Sequence, residues 1–542
     1  MAAQFALLFL LGGTVIRPYV PPKLDPEPEL VPSAVKVVQI APQNSDEWDV
    51  TVLARPSFVA PLIGHVLRGA RIGVRGEVPT PNSRTCSTRL YYALEPFGYI
   101  CSSETRVTDE PKTSEPVLKV IEPTPLPYRY AMVLVEEGTL VPMWASVEDL
   151  RMHAEPERQL ARGDTIALDD RMEQFGGQSY YVTVDDKVVA TTGLKIVENY
   201  SQWQGIQLTD ITLPFGWVTP QKGQVFDAPG GKKIEDVLHR ARLDILEEAN
   251  VGKTRWVRVG EGRWMKARDL NEVRLAPRPA GTGVHQQWFD VDLGEQTVVA
   301  YVNDKPVYAT LTASGREPNH TPLGNYPIWG KATAITMKSQ EYDDIPYYVN
   351  KVPWVMFFQA HNALHGAYWH DKFGITKSHG CVNLSPKDSH AIFDWLEPTL
   401  PPGWTSVRYY DLTQAPVVHV HNSTKARGFF QERNIGPPDK SDEAERVTQA
   451  VARREAKDRE AALLAAGTDG TLPAGMAMPP SAAGATPVPI VAPSGAGSSV
   501  NGTLPPPSAV NPVPVRPPGT AMPNTTGSTT QARPLTNAVT SH

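Results

Sequence analysis

The stretch Phe357–Leu384, FFQAHNALHGAYWHDKFGITKSHGCVNL, decides how the rest of the 542 residues are read. It holds four of the thirteen histidines (His361, His365, His370 and His379) and Cys381, one of the three cysteines. So much imidazole beside one thiol is the composition of a reactive site. Within it, Ser378-His379-Gly380-Cys381-Val382-Asn383 surrounds the thiol with small residues, so a carbonyl group can approach. Gly380, just before the thiol, lets the backbone turn so that its N–H faces a reacting carbon.

A free thiol is only about 3% thiolate at pH 7 and needs a base. Two strands joined by a loop would bring His365 to Cys381, which makes His365 the expected proton donor and acceptor. His379 is nearer in sequence but shares the thiol's face only if the chain bends at Gly380, so it is read as a supporting residue. The Gly366 carbonyl is the expected group to orient His365. Tyr368, Trp369 and Asn383 are candidate substrate contacts, and Asn383 is also suited to a structural hydrogen bond. The donors His361-x3-His365-x4-His370 and His379-x-Cys381 would suit zinc. Gly366 and the aromatic, strand-like surroundings oppose the helix that this spacing needs, so no metal is expected. A papain-like arrangement would place Cys before His, the reverse of the order here.

His365-Gly366, a spacer and then SHGCVN resemble the L,D-transpeptidase catalytic domain, the YkuD-type fold. The resemblance runs from about Trp288 to Asp411. It includes Thr321-Pro322-Leu323-Gly324-Asn325-Tyr326, similar to that family's TPxGxY strand start. It implies a β-sandwich enzyme of bacterial peptidoglycan, with Cys381 as nucleophile and His365 as general acid/base. The implied reaction is acyl transfer from a stem tetrapeptide to an amine acceptor, with D-Ala released, for cell-wall cross-linking or remodelling. Two alternatives stay open: an L,D-carboxypeptidase, in which water is the acceptor, and a wall-binding or anchoring protein with an inactive catalytic module. Peptidoglycan stem peptides are the implied partners, no cofactor is implied, and the implied location is the cell envelope or periplasm.

Outside that stretch the chain is long enough for several domains. A net charge of −6 gives no reason to expect nucleic acid. Phe5–Ile16 is apolar but too short to span a bilayer, so residues 1–16 read as a signal-type segment with no stable membrane span. Cys86 and Cys101 fall in one small module and are a candidate disulfide, which would leave Cys381 as the odd thiol.

The expected class is mainly β. Residues 17–45 and 109–127 read as Pro-rich linkers. Residues 46–108, 128–198 and 210–276 read as small β modules, and 286–422 as the catalytic domain. Residues 441–466 read as a charged helix and 467–542 as a disordered Pro/Ala/Gly/Ser/Thr-rich tail. Hairpins are expected at Tyr180–Ala190, Arg255–Lys266 and Val298–Leu311, strands at Ile345–Val349 and Val355–Phe358, and a helix at Pro386–Leu396 with Pro386 at its first position. Val66–Ile72, Gln159–Ile166 and Val237–Leu243 echo one another, which resembles the SH3-type barrels that flank cell-wall enzymes. Trp256 and Trp264 are read either as hairpin core residues or as aromatics that bind wall polymer.

Overall fold

The structure is a computed structural model that describes residues 28–43, 48–81, 86–283, 286–316, 319–339 and 347–423, together with the backbone of 433–434. The chain divides into two compact units, 1–465 and 466–542, and every described residue lies in the first. The signal-type segment, the first part of the 17–45 linker, the charged helix and the tail lie outside the described residues.

The chain is mainly β, and the echo in the sequence marks a shared backbone device. The first strands of the three small modules end at Ile40, Val133 and Val218. Their carbonyls accept from the N–H of a left-handed residue: Gly69 at 2.8 Å, Gly163 at 2.9 Å and Arg240 at 2.8 Å. Their own N–H groups donate to the next carbonyl, of Ala70 (2.8 Å), Asp164 (2.8 Å) and Ala241 (3.0 Å). Each left-handed residue is the third of a four-residue turn, and the following strand returns antiparallel to the first. Three stretches with little identity therefore make one latch, because the latch uses backbone groups alone.

Three boundaries differ from expectation. The first module begins at Val37, not residue 46, because the latch needs the four-residue strand Val37–Ile40 inside the Pro-rich segment. The segment 109–127 is no free linker: Leu118 and Leu126 are buried, and Leu118 joins the catalytic core beside Phe289 and Met356. Ile206–Gln207, between the second and third modules, adds a strand to the catalytic sheet at Tyr308 and Ala309. Cys86 and Cys101 are bonded. The three expected hairpins are present. Trp256 is buried against Phe226 and takes the core role; it pairs with Lys266, while Trp264 pairs with Arg258.

The catalytic domain comprises β1 (Gln287–Asp292), β2 (Thr297–Val302), β3 (Lys305–Leu311), β4 (Gly324–Pro327), β5 (Gly330–Lys338), β6 (Tyr348–Gln359), β7 (Asn362–Gly366), β8 (Val382–Leu384), helix α1 (Pro386–Trp395), β9 (Trp404–Arg408) and β10 (Val417–His421). One sheet runs β3-β2-β1-β10-β4, and the other runs β9-β5-β6-β7-β8. The two strands expected at 345–358 are one, β6, which carries left-handed residues at Lys351 and Trp354 on either side of Pro353.

Phe289, Val291, Met356, Leu364, Val382 and Leu384 fill the core between the sheets. Ile392, Phe393 and Leu396 of the helix end join them as one face. Ser385 caps α1 by accepting from Asp388 N at 3.1 Å, with Pro386 at the first position. The buried Lys331 amino group donates to the carbonyls of Phe393 and Leu396 at the helix end and of Pro398 just beyond it. The modules dock directly. Leu62–Leu67 of the first pairs with β9, and Trp404 of β9 fills that module's core. Thr165 of the second bridges to Val349 of β6.

Candidate active site

Alternation along β7 and β8 separates the core from the chemistry. The strands are parallel neighbours, with Leu364 opposite Val382 and His365 opposite Asn383. Leu364, Val382 and Leu384 face the core. Successive side chains point to opposite faces, so His365, Asn383 and Cys381 share the other face. His365 and Cys381 are one diagonal step apart on it. Gly366 is glycine because the helix crosses there: a Cβ would lie 2.6 Å from Ser389 Oγ.

His365 is buried. Its Nδ1 faces the Gly366 carbonyl at 3.4 Å, and its ring stacks against Trp369 at 5.8 Å. Burial holds its pKa down to about 4, with the Gly366 carbonyl working the other way. Cys381 is the free cysteine among the described residues and is half-buried, its Sγ 3.9 Å from the His361 carbonyl. Burial pushes its thiol up to about 11, the Ala363 backbone working against it. Both shifts favour the neutral forms, imidazole and thiol.

The turn before Cys381 is fixed from three sides. Gly380 has φ +119°, and a Cβ there would meet Asn362 Oδ1 at 2.6 Å, so both conformation and space require glycine. Its N–H, the expected oxyanion donor, instead donates to Ser378 Oγ at 3.1 Å. The Ser378 hydroxyl in turn donates to the Cys381 carbonyl. Thr321 Oγ1 donates to the Gly380 carbonyl at 2.8 Å and accepts from Gly315 N. Ser378 N donates to Ser314 O at 3.0 Å. The TPLGNY segment thus touches the reactive turn, and the hydroxyls of Thr321 and Ser378 do work that sequence reasoning did not assign. The signal for Thr321 was in the quoted segment, but nothing in a sequence says that it reaches residue 380.

The remaining candidates separate. His379 is exposed and stacks on Tyr347 at 5.1 Å. Trp369 is half-buried and lies against His365. Asn383 is buried and bonds His370 Nε2 at 3.0 Å. His370 Nδ1 accepts from Lys372 N, so its proton is on Nε2, and the Asn383 amide must present its oxygen there. That assignment also supplies the partner that Asn383 Oδ1 otherwise lacks.

Tyr368 is no pocket wall. It is fully buried, stacked on Tyr130 of the second module at 3.6 Å, and its hydroxyl donates to Asn350 O at 2.8 Å and meets Thr165 Oγ1 at 2.7 Å. An aromatic three residues after His365 gives no sign in sequence that another module covers it. His365 stacks on Trp369, His370 bonds Asn383 and His379 stacks on Tyr347.

The loop from Ala367 to Lys377 is held from outside the catalytic domain. Arg240 of the third module donates to both Asp371 carboxylate oxygens, at 2.9 and 3.1 Å, and to the Asp371 carbonyl at 2.8 Å. Asn271 donates to the Gly374 carbonyl at 3.0 Å.

Residues 286–418 match the YkuD family, the L,D-transpeptidase catalytic domain. No curated protein matches the chain. Among solved structures, an L,D-transpeptidase from Mycobacterium smegmatis is 19% identical over 31% of this chain and 66% of its own, with TM-score 0.21. An L,D-transpeptidase from Stackebrandtia nassauensis is 23% identical over 28% and 59%, with TM-score 0.19. The catalytic domain from the E. faecium L,D-transpeptidase is 24% identical over 25% and 96%, with TM-score 0.20. The chain thus spans less than two thirds of the length of the first two.

Proposed function

We propose that the YkuD domain at 286–418 is a cysteine acyltransferase acting on peptidoglycan stem peptides. The observation that carries this reading is that His365 on β7 and Cys381, the residue just before the parallel β8, fall on the same side by strand alternation, inside a domain that matches that family. The Gly366 carbonyl favours the proton on His365 Nδ1, so Nε2 is the basic nitrogen. Nε2 takes the thiol proton as sulfur attacks the carbonyl carbon of the third stem residue. The tetrahedral oxyanion draws on backbone N–H groups of the turn, and with the Gly380 N–H engaged the Cys381 N–H is the donor we assign. Collapse breaks the amide bond, the imidazolium returns its proton to the leaving D-Ala amine, and a thioester remains. An acceptor amine on a second stem then attacks the thioester, releases the thiol and forms the cross-link.

The three latched modules are read as SH3-like barrels. The Cys86–Cys101 bond fits an exported protein, since such bonds persist in oxidising compartments. The experiment is product analysis by mass spectrometry, with purified protein, a disaccharide-tetrapeptide and a Cys381→Ala control. Dimers lacking one D-Ala are the expected product. Tripeptide alone replaces transpeptidation by carboxypeptidase action, and equal turnover by the control removes Cys381 as nucleophile.

A further inference from the structure

We propose that Asp290, His419 and His421 form a binding site for a divalent transition-metal ion of the zinc class. The site lies on the sandwich sheet that does not carry Cys381. Strands β1 and β10 are parallel neighbours, with Asp290 opposite His419 and Asp292 opposite His421. Residues two apart on a strand share a face, and the two imidazoles stack at 5.1 Å and 19°. One nitrogen from each histidine and a carboxylate oxygen of Asp290 lie within 4.8 Å of one another.

Two further observations point to a cation. Asp290 is only 5% exposed. His421 Nε2 is 3.1 Å from the carboxylate and makes its hydrogen bond to Oδ2. The same Nε2 is 3.1 Å from Oδ1, which is buried and makes no hydrogen bond of its own. One N–H shared by both oxygens of a buried carboxylate leaves it under-satisfied, and a cation would complete it. The second observation is a set tautomer. His419 Nδ1 lies 2.6 Å from Asn325 Oδ1, and an amide oxygen only accepts. Nδ1 therefore carries the proton, and Nε2 keeps its lone pair. A hydrogen bond that fixes the far nitrogen is the usual support of a metal-bound histidine.

Two imidazoles and one carboxylate are a donor set that zinc accepts, with a further position left for water. A simple His421–Asp290 ion pair accounts for the contact with the carboxylate but not for the orientation of His419. The ion would tie the first strand of the domain to its last, a parallel pair that no hairpin joins.

The test uses the full chain carrying Cys381→Ala, so that the thiol does not itself bind metal. It is titrated with Zn²⁺ by calorimetry and with Co²⁺ by visible absorption, and compared with the same chain carrying Asp290→Asn or His421→Ala. Asp290→Asn keeps the shape, and His421 is half-exposed, so at least one variant retains the fold, checked by circular dichroism. Expected are one Zn²⁺ per chain, a four-coordinate Co²⁺ spectrum, a melting temperature several degrees higher with Zn²⁺, and affinity at least 100-fold weaker in each folded variant. Absence of binding at micromolar metal, or equal affinity in the variants, overturns the site.

Discussion

The floor and the roof of the candidate site are built on different principles. The floor, β7 and β8, takes its order from the catalytic domain's own sheet and core, with His365 and Cys381 carried by alternation. The roof, residues 367–377, takes its order from other modules: Tyr130 and Thr165 hold Tyr368, and Arg240 and Asn271 hold Asp371 and Gly374. The residues proposed for the chemistry are thus held by one domain, while the segment 367–377 beside them is held by three. The small modules are parts of the site's scaffold, whatever else they bind.

The largest expected effect falls on the floor. Cys381→Ala should lower turnover by at least about 10³-fold, as loss of a nucleophile does, with an unchanged unfolding midpoint. Rates on a tetrapeptide substrate, with circular dichroism melting as the control, check both halves. On the roof, Tyr130→Ala removes a buried ring from the second module and should cost about 3–5 kcal/mol in denaturant unfolding. It should also raise KM, although Tyr130 lies outside the catalytic domain. A Tyr130→Ala protein with unaltered stability and KM would show that the roof stands by itself.

Acid separates the two regions by another route. The His365 pKa, about 4 in the fold, lies below the free-chain value of 6.5. Between those values the unfolded chain binds more protons, so the stability present above pH 6.5 is lost as pH falls through the window. The loss is on the order of 2 kcal/mol at pH 5 for this one imidazole. Urea unfolding at pH 7 and pH 5 measures it, and His365→Asn should flatten the difference.

The floor was legible in the sequence and the roof was not. The motif SHGCVN and the histidine before it are local signals, and strand alternation turns them into geometry. The latch was legible as an echo, since its turns sit at equivalent places in three stretches. Tyr368 was misread because its burial depends on Tyr130, more than two hundred residues earlier. Gly380 was read correctly for its backbone freedom but not for its N–H, whose partner Ser378 lies two residues away in a turn that sequence does not draw. The Pro-rich segment 109–127 was taken for a tether on composition, yet two leucines suffice to pin it to the core.

Among the contacts that hold the roof, the smaller stability effect should come from Arg240→Ala. Asp371 keeps 49% of its side chain exposed against 14% for Arg240, so solvent screens the pair and its loss should cost under about 1 kcal/mol of global stability. The same contact nonetheless fixes both the side chain and the backbone carbonyl of Asp371 from a different module. If the roof is ordered from outside, KM should rise several-fold while kcat and the melting temperature stay nearly constant. Arg240→Lys should recover little of the loss, because an ammonium does not reproduce the planar fork that meets the Asp371 carboxylate and carbonyl together. An unchanged KM in both variants would leave Tyr368 and Gly374 as sufficient anchors and move the third module's role away from the site.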